Sequence, residues 1–136
     1  MMGASKGSIF ICHSKRDLEI AIELRKFLEV QGFVPWIATE DLITSNSFPQ
    51  AISDAIDTCQ QVVVVGSKSA YASKWVEREC LFAIDAKNKP THIVQTDETD
   101  LPIYLIEHHA IDIRGNLRES GLKRLVRFLR KNGSKD

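Results

Sequence analysis

The fold is decided by five consecutive residues near the middle of the chain, Gln61-Val62-Val63-Val64-Val65. A run of β-branched residues with no polar alternation is typical of a parallel strand that is buried on both faces. Such a strand needs helices above and below it. The run therefore predicts an α/β domain with this strand near the centre of the sheet.

Strand-like and helix-like segments alternate on both sides of this run. Short apolar segments predict further strands at 8–12, 33–37, 91–95 and 110–113. Apolar residues at helical spacing predict helices at 17–31, 47–59, 73–88 and 117–131. Pro35 cannot donate to a ladder, so it favours an edge position for the second strand. We expect a flavodoxin-like, five-stranded parallel sheet in the order 2-1-3-4-5 with helices on both faces.

Local signals refine this prediction at three points. Ser14 follows the first strand and is placed to cap the first helix, whereas Gly32 is placed to end it. After the central strand, the residues 66–69 predict a turn. We expect one folded domain over 8–131, an N-terminal tail at 1–7, and a C-terminal tail or start of a linker at 132–136.

Composition narrows the classes of function. The formal net charge of the 136 residues is zero, which argues against nucleic-acid binding, and no apolar run approaches the ~20 residues of a membrane span. We expect no signal peptide. The three cysteines are scattered in apolar segments and share no metal-ligand spacing with the histidines, so we expect reduced thiols, no metal and a cytoplasmic protein. Eight basic residues from Arg114 onward favour a solvated helix face, with an acidic partner as the alternative.

A candidate site follows from the strand order. In an open parallel sheet, ligands bind beyond the carboxyl ends of the strands where the order switches, here between the first and third strands. The segments 12–17, 38–48 and 66–79 should converge there. Within the last segment, Trp75 and Glu79 are four residues apart and project from the same helix face. We expect this carboxylate to face an open crevice.

Several segments taken in order resemble the motifs of TIR (Toll/interleukin-1 receptor) domains. They are Ile9-Phe10-Ile11-Cys12-His13-Ser14, Gly32-Phe33-Val34-Pro35-Trp36-Ile37, Asp41-Leu42, Ser47-Phe48, Ala51-Ile52 and Ala55-Ile56. The later segment Ser73-Lys74-Trp75-Val76-Glu77-Arg78-Glu79 is similar to the Trp-x-x-x-Glu motif of enzymatic TIR domains, especially prokaryotic ones. The resemblance covers roughly residues 8–113. Ala38 and Thr44-Ser45 depart from the residues usual in the loop after the second strand.

The resemblance implies an activity and a set of site residues. Glu79 would be the catalytic glutamate of an NAD⁺ glycohydrolase or ADP-ribosyl cyclase, and Trp75 would form an apolar wall beside the reacting ribose. His13 and Ser14 would lie near the phosphates or the nicotinamide, and Phe48 would face the adenine end. NAD⁺ would be the substrate, and no cofactor is implied.

The resemblance also implies a biological setting. Such a domain would act as an effector of an immune or defence system, triggered by a sensor domain or partner and activated by self-assembly with other TIR domains. A TIR domain that only assembles, as adaptors do, is the alternative. A response-regulator receiver would need paired acids after the first strand and an Asp at the end of the third. The sequence offers Cys12-His13 and Gly66.

Overall fold

Five parallel strands form one sheet in this computed structural model, which describes residues 7–37 and 50–133. The strands are β1 (Ser8–Cys12), β2 (Val34–Ile37), β3 (Gln61–Gly66), β4 (Thr91–Gln95) and β5 (Ala110–Asp112). Their order is β2-β1-β3-β4-β5, with β2 carrying Pro35 at one end of that order. The predicted order, the parallel pairing and the peripheral place of the proline strand are confirmed.

Within residues 7–37 and 50–133, five helices connect or follow the strands. They are α1 (Leu18–Val30), α2 (Gln50–Thr58), α3 (Lys68–Tyr71), α4 (Lys74–Leu81) and α5 (Arg118–Gly133). A π-helical segment, Phe82–Ala86, extends α4, and short 3₁₀ turns cover Lys15–Asp17, Ile103–Leu105 and Gly115–Leu117. Gly32 follows α1 with a φ of +95°, a conformation in which glycine carries no Cβ penalty. Its predicted role at the helix end is confirmed.

The sheet separates two apolar layers. Alternate residues of a strand point to opposite faces, so Ile9 and Ile11 pack with α1 and α5, whereas Phe10 and Cys12 pack with α2 and α4. All four side chains are essentially inaccessible to solvent. Helices therefore cover both faces, as predicted, and the alternation places the Cys12 thiol beneath α4 at the carboxyl end of β1.

Three local predictions concern the turns and loops that begin helices. The residues 66–69 do not form a simple turn, because Ser67 caps the short helix α3 by accepting a hydrogen bond from the Ala70 N–H at 3.0 Å. Ser14 precedes the first turn of helix, but its hydroxyl makes no capping bond to the backbone. The loop at 38–46 and the predicted helix start at 47–49 lie outside the described residues.

Among the helices of residues 7–37 and 50–133, not one combines the length and the apolar character that crossing a bilayer would require.

Candidate functional site

A cavity of about 380 Å³ lies at the carboxyl edge of the sheet, between the connection after β1 and the connection after β3. Its walls are formed by His13, Ser14, Lys15, Arg16, Ser69, Ala72, Ser73 and Trp75. Parallel strands bring their carboxyl ends to one edge, and β1 and β3 are neighbours in the sheet. The structure thus brings together parts of the segments 12–17 and 66–79, as the strand order predicts.

The start of α4 fixes where its functional side chains lie. The Ser73 hydroxyl accepts a hydrogen bond from the Val76 N–H at 3.1 Å, which is the capping bond expected of serine at this position. This cap places Trp75 in the first turn, on the cavity wall, and Glu79 one turn later. The indole Nε1–H of Trp75 donates to Oε2 of Glu79 at 3.1 Å. The two residues therefore act as one unit.

The carboxyl group of Glu79 is not open to the crevice. Its side chain is only 2% exposed, and Glu79 is not among the residues that line the cavity. The expectation that this carboxylate faces an open crevice is thus wrong. The helix phase predicts the face on which Glu79 projects, but it says nothing of how deeply the neighbouring elements bury that face.

Burial changes the acidity of Glu79. Removal from water raises its pKa from 4.5 to about 8, and hydrogen bonds from Trp75 and Cys12 partly offset the rise by favouring the ionised form. With a pKa near 8, about one carboxyl group in ten is ionised at pH 7. A cation placed beside this group would shift it toward the anion. The site therefore holds a carboxyl group whose charge responds to its surroundings.

Cys12 is a member of this site that sequence reasoning classed only as a buried thiol. Burial raises its pKa well above the ordinary value, and the neighbouring Cys80 and Glu79 raise it further. The thiol therefore stays protonated and able to donate to the Glu79 carboxylate. The signal that could have revealed this role is position, since Cys12 ends β1 at the same edge of the sheet as the cavity.

Asp17 joins the two walls of the cavity. Its Oδ2 accepts a hydrogen bond from the Ser14 hydroxyl at 2.8 Å and another from the Ser67 hydroxyl at 2.6 Å. Ser67 is the residue whose oxygen also caps α3. We call these three residues the Asp17 clasp. Sequence reasoning missed it, although a serine within two residues of the end of each of two neighbouring strands was a usable signal.

Of the three remaining predicted site residues, two line the cavity and one lies outside the described residues. His13 and Ser14 both line the cavity and are 3% and 7% exposed. Phe48 lies outside the described residues. Lys15 and Arg16, by contrast, are exposed on the same wall. Their positive charges suit an anionic ligand such as a pyrophosphate.

Within 7–37 and 50–133, no three His, Cys, Asp or Glu side chains come close enough together to hold a metal ion. The chemistry that the described residues of the site offer is hydrogen bonding, the buried carboxyl group of Glu79, the positive charges of Lys15 and Arg16, and an aromatic wall.

Comparisons with known proteins agree with this architecture. The TIR domain of the Toll-related receptor TRR-2 from Hydra magnipapillata is 21% identical, with a TM-score of 0.75 over 90% of this chain and 97% of that one. A metazoan TIR-STING receptor from C. gigas, solved in complex with 2′,3′-cGAMP, is 20% identical, with a TM-score of 0.73 over 99% of this chain and 41% of that one. At such identities the likeness concerns the fold alone.

Sequence comparison decides the family. A search of curated proteins finds no significant match. The family model described as the TIR domain does match, over residues 9–126, which include β1 from its second residue, the other four strands and the first half of α5. By this match and by its sheet order, the chain belongs to the TIR domain family.

Proposed function

We propose that this TIR domain cleaves the bond between nicotinamide and ribose in NAD⁺, with Glu79 as the catalytic residue. The observation that carries the proposal is the Trp75–Glu79 unit. A buried carboxyl group is hydrogen-bonded to an indole, and that indole forms a wall of a cavity at the switch point of the sheet. Perturbed acids beside cavities are candidates for function.

The chemistry requires only one carboxylate. Nicotinamide leaves as a neutral molecule, so no general acid has to protonate it. The ribosyl fragment passes through an oxocarbenium-like state, as in glycoside hydrolysis, and a fixed anion stabilises the positive charge that develops there. Water then captures the fragment to give ADP-ribose, or the adenine ring captures it to give a cyclic product, and either capture releases one proton to solvent.

The raised pKa of Glu79 suits this role. An acid that is mostly neutral in the free domain is easier to bury than an anion. The positively charged pyridinium of NAD⁺ would favour ionisation when it binds nearby. The carboxylate would then form in contact with substrate, in surroundings of low dielectric where its electrostatic effect is strong.

Access to Glu79 implies that Trp75 has to move. Trp75 lines the cavity and Glu79 does not, so the ribose can contact the carboxyl group only after the indole shifts. We infer that the described state is a resting state. Self-assembly with other TIR domains, under the control of a sensor domain or partner, would favour the open one. This would suit an effector of an immune or defence system.

The test compares two glutamates of the same helix. Glu79→Gln removes the ionisable group but keeps its size, and Glu77→Gln changes an exposed carboxylate two residues away. Each protein, clustered by fusion to an oligomeric carrier, is incubated with NAD⁺, and the products are identified by mass spectrometry. We expect nicotinamide release by wild type and Glu77→Gln, and a loss of about 100-fold or more in Glu79→Gln. Equal rates in all three would overturn the proposal.

Clustering is tested with the same assay. We expect the specific activity of the unclustered domain to be low and to rise with protein concentration, because assembly would favour the open state. Specific activity that is constant over concentration, with and without the carrier, would contradict activation by assembly while leaving the catalytic role of Glu79 intact.

A non-catalytic scaffold is the second candidate. The burial of Glu79 away from the cavity surface favours it, because a scaffold needs no accessible acid. Absence of any nicotinamide release by the clustered wild type, together with retained self-association, would decide for the scaffold.

A further inference from the structure

His13 occupies an unusual position for an ionisable side chain. It follows the last residue of β1, is 3% exposed, and lines the same cavity as Trp75. The proposed chemistry gives it no role in proton transfer, because nicotinamide needs no acid to leave. Its hydrogen bonding points to a role in recognition.

One nitrogen of the ring is already used. Nδ1 lies 2.8 Å from the backbone oxygen of Ser14. A carbonyl oxygen can only accept, so Nδ1 carries the proton. In the neutral ring this leaves Nε2 as an acceptor, and the Ser14 contact fixes the orientation of the ring. Ser14 in turn is held by the Asp17 clasp.

The other nitrogen has no partner. Nε2 is buried and makes no hydrogen bond within the described part of the chain. Buried acceptors in folded proteins are nearly always paired, and an unpaired one calls for an explanation such as a missing ligand or water. Because His13 lines the cavity, a ligand bound there is the simplest source of the missing donor.

The chemistry of the nitrogen selects the ligand group. A neutral acceptor favours an N–H donor and disfavours a carboxylate, which has only acceptor oxygens and a negative charge. Trp75 provides a flat apolar surface in the same cavity for an aromatic ring. An aromatic carboxamide satisfies both features, whereas the corresponding aromatic acid satisfies only one.

We propose that Nε2 of His13 accepts a hydrogen bond from the carboxamide of the nicotinamide ring, and so selects NAD⁺ over its nicotinic acid analogue. This rests on the proposed function, which places the nicotinamide ribose beside Trp75 and Glu79. His13 is then a specificity-determining residue. A site that hydrogen-bonds one substrate group discriminates against an analogue that lacks it.

The first experiment measures kcat/KM of the clustered domain for NAD⁺ and for nicotinic acid adenine dinucleotide. We expect wild type to prefer NAD⁺ by about 100-fold and His13→Phe, which lacks an acceptor, to lower that preference to less than about fivefold. His13→Gln restores an acceptor and should recover part of it. His108→Phe, a histidine outside the cavity, is the matched control and should keep the wild-type preference.

A second measurement does not depend on catalysis or on the folding of a variant. The ¹⁵N resonance of His13 Nε2 in the wild-type domain is followed while nicotinamide or nicotinate is added. We expect nicotinamide to shift this resonance and nicotinate to leave it unchanged. A shift with nicotinamide in a domain that releases none from NAD⁺ would support the His13 contact and contradict the proposed reaction.

A different set of results would support the proposed reaction and contradict only the role of His13. Cleavage of NAD⁺ that requires Glu79, with the same preference in wild type and His13→Phe and no shift of the Nε2 resonance, would overturn the role of His13 alone.

Discussion

Two buried ionisable side chains on opposite faces of the sheet make a useful comparison. Glu79 lies on the face covered by α2 and α4, and His92 lies on the face covered by α5. His92 Nε2 donates to the side-chain oxygen of Gln61 at 2.8 Å, and the Gln61 amide donates to the backbone oxygen of Leu129 at 2.8 Å. The imidazole also stacks against Phe128, with ring centroids 6.5 Å apart.

The two environments shift the pKa values in opposite directions, and both shifts favour the neutral form of the side chain. Burial lowers the pKa of His92 to about 4, aided by the nearby His108 and His109, and burial raises the pKa of Glu79 to about 8. Both groups are therefore mostly neutral at pH 7. The hydrogen bonds from His92 end on the backbone of a helix, whereas those around Glu79 lead through Trp75 to a cavity. The first arrangement anchors α5, and the second is suited to respond to a ligand.

The largest expected effect concerns the pH dependence of stability at Glu79. Between pH 4.5 and 8 the folded domain retains a proton that the unfolded chain has lost, so the free energy of unfolding decreases as pH rises. Between pH 5 and pH 9 the decrease amounts to about 4 kcal/mol. Glu79→Gln should remove that decrease, as measured by urea unfolding at pH 5, 7 and 9. If the free energy of unfolding changes with pH in the same way in wild type, Glu79→Gln and the control Glu77→Gln, the carboxyl group of Glu79 is not buried in solution.

The His92 side of the comparison has the opposite slope. Between pH 6.5 and 4 the unfolded chain binds a proton that the folded domain excludes, so the free energy of unfolding decreases as pH falls. We expect His92 to lower the free energy of unfolding by about 2 kcal/mol between pH 7 and pH 4.5, read as the difference between wild type and His92→Gln because Glu79 acts in the opposite direction over this range. His92→Gln, compared by the same unfolding measurement, should be less sensitive to acid. An equal acid sensitivity in wild type and His92→Gln would mean that other groups cause it.

Trp75→Phe sharpens the comparison at the catalytic side. The change keeps an aromatic wall but removes the N–H that donates to Glu79, so the pKa of Glu79 should rise further. If Glu79 is the catalytic carboxylate, the pH–rate profile for NAD⁺ cleavage moves to higher pH and the rate at pH 7 falls about tenfold.

The other tryptophan is the control for that change. Trp36→Phe replaces an indole that stacks on Phe10, with ring centroids 5.2 Å apart, and the indole lies outside the cavity wall. Trp36→Phe should leave the pH–rate profile for NAD⁺ cleavage unchanged. A profile that is unmoved in Trp75→Phe would contradict the link between the indole and the carboxyl group.

The smallest expected effect concerns the Asp17 clasp. Asp17→Ala removes both acceptor contacts and should lower the free energy of unfolding by about 1 kcal/mol and raise KM for NAD⁺ severalfold, with kcat less affected. Asp17→Asn keeps an oxygen that can accept both hydroxyl groups and should restore KM. If Asn and Ala raise KM equally, the negative charge and not the clasp is what matters.

Much of the fold could be predicted because its pattern is local. The valines at 62–65 and the alternation of strands and helices determine the sheet, and Pro35 marks the strand at one end of it. The pairing of Trp75 with Glu79 could be predicted for the same reason, since positions four apart share a helix face.

The rest of the site depends on elements that are distant in sequence. The Asp17 clasp joins loops 50 residues apart, and Cys12 reaches Glu79 only because β1 lies beneath α4. The depth at which Glu79 is buried depends on how several elements pack together. Helical spacing predicts the face on which a side chain projects, but it does not predict which other elements cover that side chain.

The hydroxyl group of Ser67 has one proton and donates it to Asp17, while its oxygen accepts the Ala70 N–H. A displacement of the β1–α1 loop would therefore also displace the first turn of α3, and a displacement of α3 would move the loop. A ligand that displaces the connection after β1 would therefore also displace the connection after β3, because Ser67 is hydrogen-bonded to both.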